Sequence, residues 1–159
     1  MPKLDLQNIT PRIGTGYPSP HNLPCQNKIS VPVGYAGGLD QFGVSIVTLP
    51  AAQVGEQSWA SQRHWHSAED ELIYILSGEC ILIDEGGETA LKAGDVCTHK
   101  ASDGNAHHLV NKSRTEMSFL VVGARKPEHD HCHYPDIDLD LPAIGRPGRI
   151  FRHKNGKAY

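Results

Sequence analysis

Short runs of β-branched and apolar residues, each ended by glycine or proline, constrain the fold of this chain most. The sequence contains 16 glycines and 11 prolines, and we find no helical periodicity sustained over three turns. Strands are therefore predicted over Phe42–Leu49, Glu71–Leu76, Glu79–Asp84, Glu88–Lys92, His107–Asn111 and Met117–Val122. A further short strand is predicted to begin near Gly94-Asp95. Short strands at regular spacing predict an all-β sandwich or barrel. Gly86-Gly87 is predicted to be the two-residue turn of a hairpin.

A length of 159 residues is typical of one domain. Residues 1–40, broken by prolines, are predicted to be an N-terminal arm with a short strand near Ile29–Val33. The barrel is expected over 41–125. Residues 126–159 are expected to be a C-terminal extension packed on the barrel, in which Asp136–Leu141 forms an edge strand or an extended tail. The end of this extension is interpreted as a solvated strap or a lid over the barrel mouth.

Charge and hydropathy exclude several classes of function. The formal net charge is −3, and no basic block marks a nucleic-acid footprint. Apolar runs are too short to span a bilayer, and no apolar signal-peptide core follows Met1, so a cytoplasmic protein is expected. The four cysteines form no CxxC pair, which argues against a zinc ribbon and predicts free thiols.

The segment His64–Glu71 carries the strongest chemical signal. Residues two apart on a strand point to the same face, so His64 and His66 project together. Glu71 begins the next predicted strand, so its carboxylate can lie close to these two imidazoles. His107 begins a later strand and can supply a fourth ligand. Three imidazoles and one carboxylate suit one divalent ion of zinc, iron, manganese, nickel or cobalt.

These residues resemble the cupin family. The spacing H-x-H-x4-E-x6-G is similar to the first cupin motif, and G-x2-H-x3-N is similar to the end of the second. They are read here at His64, His66, Glu71 and Gly78, then at Gly104, His107 and Asn111. The resemblance implies a double-stranded β-helix, also called a cupin or jelly-roll barrel, with His64, His66, Glu71 and His107 as metal ligands. The run His107–Asn111 with Tyr134–Asp136 further resembles a group of small bacterial cupins labelled sugar-phosphate-isomerase-like.

Strand alternation suggests which residues surround the ion. The spacing to Asn111 favours His107 over His108 as the ligand. Ile73, Ile75, Leu109 and Asn111 are predicted to line a substrate pocket on the metal face, and Tyr74 to face away. One of two alternating sets of residues is also predicted to line this pocket: either Met117, Phe119 and Val121, or Ser118, Leu120 and Val122.

Other polar groups leave alternatives open. Glu69 and Asp70 are interpreted as solvated turn residues, with orientation of a ligand imidazole as the alternative. His129, His131 and His133 form either a second metal site or a surface loop, and the loop is favoured. No pattern in the sequence predicts that a lysine or arginine side chain lies inside the barrel.

Two classes of function follow. The first is a metal-dependent enzyme acting on a small polar metabolite, either an isomerase of sugar-phosphate type or a dioxygenase. The alternative is a non-catalytic cupin that binds a small ligand and holds a structural metal. A homodimer paired through its sheets, with exchange of the N-terminal arms, is also predicted.

Overall fold

A computed structural model describes residues 3–52, 57–143 and 149–159, and strands dominate these ranges. The strands are β1 (Arg12–Ile13), β2 (Ile29–Val31), β3 (Phe42–Leu49), β4 (Ser58–Trp59), β5 (Trp65–His66), β6 (Glu71–Ser77), β7 (Glu79–Asp84), β8 (Gly87–Lys92), β9 (Val96–His99), β10 (His108–Asn111), β11 (Met117–Ala124), β12 (Cys132–Tyr134) and β13 (Leu139–Leu141). The helices are α1 (Val33–Ala36) and the 3-10 turns Leu6–Asn8 and Leu23–Cys25. No helix in the described ranges is long and apolar enough to cross a membrane.

The strands form three antiparallel sheets. A six-stranded sheet has the order β1-β2-β3-β11-β6-β9, a four-stranded sheet has the order β4-β10-β7-β8, and a three-stranded sheet has the order β13-β12-β5. The core lies between the two larger sheets, and the alternating buried residues of β6 and β11 contribute Ile73, Ile75, Met117 and Phe119 to it. The all-β double-stranded β-helix predicted from the sequence is confirmed.

The terminal segments are built into the sheets. Strand β2 of the N-terminal arm pairs with β3, with Ser30 opposite Val47, so residues before 41 extend the larger sheet. Within the C-terminal extension, β12 pairs with β5, with Cys132 opposite His66. The extension therefore lies directly against the strand that carries the first histidine motif. Of the predicted segment Asp136–Leu141, only Leu139–Leu141 forms a strand.

Two glycines explain how the chain reverses in the barrel. Gly78 alone connects β6 to β7; its φ is +72°, and a Cβ there would lie 2.7 Å from the carbonyl oxygen of Glu116. Only glycine fits this close approach of backbones. The placement of the β7–β8 turn at Gly86-Gly87 is wrong by one residue. Asp84 pairs with Gly87, so Glu85 and Gly86 form the turn, and Gly87, with φ +110°, opens β8.

Candidate metal centre

Backbone pairing brings the two histidine motifs together. His64 lies just before β5 and forms an antiparallel bridge with His107, just before β10. The His64 amide donates to the His107 carbonyl at 3.1 Å, and the His107 amide donates to the His64 carbonyl at 2.9 Å. Because residues opposite one another across such a bridge project to the same side, both imidazoles point into the barrel mouth.

Three of the four predicted ligands meet at one point. Ligand atoms of His64, Glu71 and His107 all lie within 4.8 Å of one another, and His107 Nε2 is 3.4 Å from Glu71 Oε1. The ring of His66 is 5.0 Å from that of His64, centroid to centroid. His66 therefore lies beside this cluster, and its ligand atom forms a second 4.8 Å group with those of His64 and Cys132.

The second ring nitrogen of each histidine is anchored. His64 Nδ1 is 2.8 Å from the carbonyl of Gln62, and His107 Nδ1 is 3.3 Å from the carbonyl of Asn105. A carbonyl only accepts, so each Nδ1 carries the proton and each Nε2 keeps its lone pair for the site. Such anchoring fixes the orientation of metal-binding imidazoles.

His66 is anchored by a carboxylate that sequence reasoning missed. Asp130 Oδ2 lies 2.8 Å from His66 Nδ1 and accepts a hydrogen bond from Arg149 at 2.7 Å. Its Oδ1 accepts from the amide of Ala68 at 3.1 Å. Asp130 is fully buried. Burial raises its pKa, but the bond from His66 and the other donors outweigh burial and hold the pKa below its usual value. The signal in the sequence was weak, because 64 residues separate Asp130 from His66.

The charge states of the cluster suit metal binding. Burial, followed by the neighbouring rings of His66 and His107, lowers the pKa of His64 to about 3. Burial also raises the pKa of Glu71, but the neighbouring imidazoles of His107, His64 and His66 outweigh it and lower that pKa to about 2. At neutral pH the centre therefore combines neutral imidazole with an ionised carboxylate, the forms that bind a divalent ion.

His99 is a further site residue that the sequence did not single out. It lies opposite Glu71 in the β6–β9 pair, and its ring stacks on that of His107 with centroids 3.3 Å apart. Its Nε2 is buried and has no hydrogen-bond partner in the described residues. A buried nitrogen without a partner is costly, and a metal or ligand at this centre would satisfy it. The sequence did contain one signal for His99. It lies two residues after Cys97 on the same strand, so its side chain shares the inward face of Cys97, which packs on the core.

His108 and the acidic turn residues lie outside the cluster. His108 Nδ1 bonds the carbonyl of Ser61 at 3.1 Å, and its ring packs edge-on against Trp59. Glu69 accepts a hydrogen bond from the amide of Lys126 at 2.6 Å, and Asp70 accepts one from the amide of Ala101 at 2.8 Å. These two carboxylates therefore fasten loops around the site, whereas the carboxylate that accepts a hydrogen bond from a candidate ligand is that of Asp130.

The predicted pocket residues divide into two groups. Ile73, Ile75 and Leu109 are buried in the core cluster on the inner faces of their strands, and Tyr74 is 39% exposed on the outer face. The inner register of β11 is Met117, Phe119 and Val121. Asn111 is fully buried, and its side-chain nitrogen donates to the carbonyls of Leu49, Pro50 and Thr115. Its assignment to the substrate pocket stays a prediction.

The second histidine cluster contains two of its three predicted members. His131, His133 and Asp140 place ligand atoms within 4.8 Å of one another, whereas His129 is exposed. His131 Nε2 is 2.6 Å from Asp140 Oδ1, and the ring of His133 stacks between His131 and Trp65. These contacts join β12 to its neighbours β13 and β5 and explain the cluster without an ion.

All four cysteines are free thiols, as predicted. Burial raises the pKa of Cys25 and Cys97 to about 11 and that of Cys80 and Cys132 to about 12. The thiols are therefore protonated at neutral pH, and Glu71 is a readier anionic ligand for the centre than the nearby Cys132.

Comparison with known proteins identifies the family. Residues 51–123 match the family described as "Cupin domain". A crystal structure described as a cupin-superfamily sugar phosphate isomerase from Silicibacter pomeroyi shares 36% identity, covers 99% of this chain and 96% of its own, and has a TM-score of 0.90. A "predicted oxalate decarboxylase" from Thermotoga maritima, at 24% identity and a TM-score of 0.57, covers 78% of this chain and 99% of its own and shares the fold.

A curated relative shows a shorter match. An oxalate-binding protein from Thermotoga maritima is 41% identical over 59 residues, which are 37% of this chain and 47% of that protein. The chain thus spans about half the length of this relative. Together with the barrel topology and the near-complete overlap with the Silicibacter structure, the family match shows that the chain belongs to the cupin superfamily.

Proposed function

We propose that His64, His66, Glu71 and His107 bind one divalent metal ion and that the protein is a metal-dependent enzyme acting on a small polar metabolite. The observation that carries the proposal is the convergence of two anchored imidazoles and an ionised carboxylate within 4.8 Å. The buried, unpartnered Nε2 of His99 beside them supports it. Such donors fit zinc, iron, manganese or nickel.

An isomerase of sugar-phosphate type is the reaction class best supported. The support is the near-full-length similarity to the Silicibacter protein, which carries that description. When bound, a divalent ion at this centre polarises a carbonyl or hydroxyl oxygen of the metabolite. His64 and His107 hold their Nε2 atoms toward the centre through their bonded Nδ1 atoms. In this proposal His99, whose Nε2 is buried without a hydrogen-bond partner in the described residues, accepts a proton from a carbon next to the bound oxygen.

Apolar side chains on the inner faces of β6 and β10 follow Glu71 and His107 along the chain. Ile73, Ile75 and Leu109 are each at most 4% exposed. An apolar wall around a few polar groups is typical of a small-molecule site, and in low dielectric each charge at the centre acts more strongly on a substrate. In this proposal the apolar surroundings support an enolisation at the centre.

Binding without turnover is the second candidate. The similarity of 59 residues to an oxalate-binding protein favours it. In that case the carboxylates of a small diacid would occupy the open positions of the ion, and the protein would hold the ligand unchanged.

The test compares wild type, Glu71→Gln and the surface control Glu128→Gln, each reconstituted separately with manganese, iron, zinc or nickel. Aldose and ketose phosphates in D₂O would be followed by proton NMR, with oxygen uptake recorded in parallel. Exchange at the carbon next to the carbonyl, lost in Glu71→Gln and kept in Glu128→Gln, supports the isomerase. Oxygen consumption would indicate a dioxygenase, and saturable oxalate binding without turnover would establish the second candidate.

We also propose that the protein is a homodimer. The outer face of the six-stranded sheet exposes apolar side chains that are 38–53% accessible, namely Phe42, Leu72, Tyr74, Leu76 and Val96. A contiguous exposed apolar face is typical of a protein–protein interface. Light scattering should give twice the chain mass of 17.4 kDa, and Tyr74→Glu should reduce it. A monomer at all concentrations would contradict this.

A further inference from the structure

The edge of the six-stranded sheet carries polar side chains on its inner face. Val47 is buried in the core and lies opposite Ser30, and Ser30 lies opposite Arg12 in the β1–β2 pair. Residues opposite one another share a face, so Arg12 and Ser30 lie on the same face of the sheet as Val47, with Arg12 exposed at its edge. Lys28 and Ser45, two residues from Ser30 and Val47, share this face by alternation.

A cavity of about 400 Å³ lies over this edge. Arg12, Lys28, Ser30 and Ser45 line it together with the backbone turn at residues 13–16. A neighbouring cavity of about 420 Å³ shares Arg12 and Ser45 and adds Arg125 and Asp40. Two cations and two hydroxyls therefore face one concave space on the inner side of the sheet, at a part of the barrel that the four metal-site residues do not line.

The two cations have no acidic partners. Among the described residues, the lysines and arginines within 4.0 Å of a carboxylate are Arg63, Lys112, Arg125 and Arg149. Lys28 Nζ instead donates to the carbonyl of Ala60 at 2.8 Å, reaching across to the opposite sheet. Burial lowers the pKa of Lys28 below its ordinary value, and the negative charge of Glu71 offsets this only in part. The ammonium group is thus held away from water with no carboxylate of the described residues within 4.0 Å.

We propose that this cavity, formed by Arg12, Lys28, Ser30 and Ser45, binds a phosphate group, either free or esterified to a small metabolite. A tetrahedral dianion offers several oxygen acceptors, and the guanidinium, the ammonium and two hydroxyls offer matching donors around one space. The anion would place a negative charge next to the Lys28 ammonium group, which has no carboxylate of the described residues within 4.0 Å. The site needs no metal and is distinct from the proposed metal centre.

The test is calorimetric titration of the metal-free full chain with inorganic phosphate at low ionic strength. Arg12→Gln removes one cation from the cavity. Arg114→Gln removes the same charge from an exposed residue in the turn before β11 and controls for net charge. We expect saturation near one phosphate per chain, at least tenfold weaker binding in Arg12→Gln, and binding within twofold of wild type in Arg114→Gln. Equal weakening in both variants, or no saturable binding in wild type, would overturn the site.

Two further arms complete the test. Ser45→Ala removes a hydroxyl without a charge and should weaken binding severalfold, which keeps the proposal testable if a cavity-lining charge variant fails to fold. His64→Ala should bind phosphate as wild type does; loss of binding there would place the anion at the metal centre and overturn the assignment. Titration with ribose 5-phosphate then identifies the ligand. Tighter binding than phosphate indicates an ester and weaker binding indicates the free anion, and both support the site if Arg12→Gln weakens them.

Discussion

Replacing Asp130 by asparagine should weaken metal binding although Asp130 is not a proposed ligand. The carboxylate anchors His66 Nδ1 at 2.8 Å, accepts from Arg149 at 2.7 Å and accepts from the Ala68 amide at 3.1 Å. Asparagine has the same shape but only one acceptor oxygen. In either orientation its amide nitrogen faces at least one N–H donor, and the negative charge that pairs with the Arg149 guanidinium is lost.

The expected size follows from these contacts. One lost hydrogen bond and the loss of charge assistance in the others should lower the free energy of unfolding of the metal-free protein by about 2–4 kcal/mol. Loss of the anchor on a ligand imidazole should weaken metal affinity by about 10–100-fold, which is about 1.4–2.8 kcal/mol of binding free energy.

The assay is competition for zinc against a chromophoric chelator at pH 7.5, with urea unfolding followed by circular dichroism. Asp138→Asn is the matched control, because Asp138 also accepts from a histidine and an amide, His153 and Lys154, but is exposed and bonds none of the proposed ligands. The reasoning is refuted if zinc affinity in Asp130→Asn stays within threefold of wild type, or if Asp138→Asn weakens it equally.

Three further predictions concern the scaffold. Asn111→Ala removes the buried donor that bonds the carbonyls of Leu49, Pro50 and Thr115. It should lower the free energy of unfolding by about 3 kcal/mol or more in urea titration; a loss below 1 kcal/mol would contradict this. Gly78→Ala should cost about 2 kcal/mol or more by the same method, whereas Gly104→Ala, with nearly the same φ but no atom within 4 Å, should cost about 1 kcal/mol. Equal costs would refute the role of close backbone approach. Finally, the three buried thiols Cys25, Cys80 and Cys132 should react with a disulfide reagent at pH 8 at least about 100-fold more slowly in native than in urea-unfolded protein.

The strands were predictable because their apolar residues alternate and glycines or prolines bound them. The inward positions Ile73 and Ile75 and the outward Tyr74 follow from the alternation of β6 alone. The β7–β8 turn was misplaced by one residue because a glycine pair marks a turn without distinguishing a loop residue from the first residue of the next strand. The sequence left open which alternating set of β11 residues faces inward. The pairing with neighbouring strands decides it, because Phe119 lies opposite both Val47 and Ile75.

The candidate site was predictable where its residues are close in sequence. His64, His66 and Glu71 share one strand–turn–strand unit, and His107 follows from the second motif. Asp130 and Lys28 were missed because pairing of the terminal segments brings them inward: β12 lies on β5, and β2 extends the sheet beside β3. No local pattern shows that a lysine in a proline-rich arm reaches into the barrel, because its burial depends on strand pairing and on Ala60 in the opposite sheet.

Elemental analysis by mass spectrometry tests the proposed metal centre most directly. Untagged wild type, His64→Ala and His129→Ala would be purified in parallel; His129 is an exposed histidine and controls for loss of one imidazole. We predict close to one divalent ion per chain in wild type and His129→Ala, and less than about 0.1 in His64→Ala. Absence of metal from wild type after reconstitution, or equal metal in all three proteins, would contradict a centre built on His64, His66, Glu71 and His107.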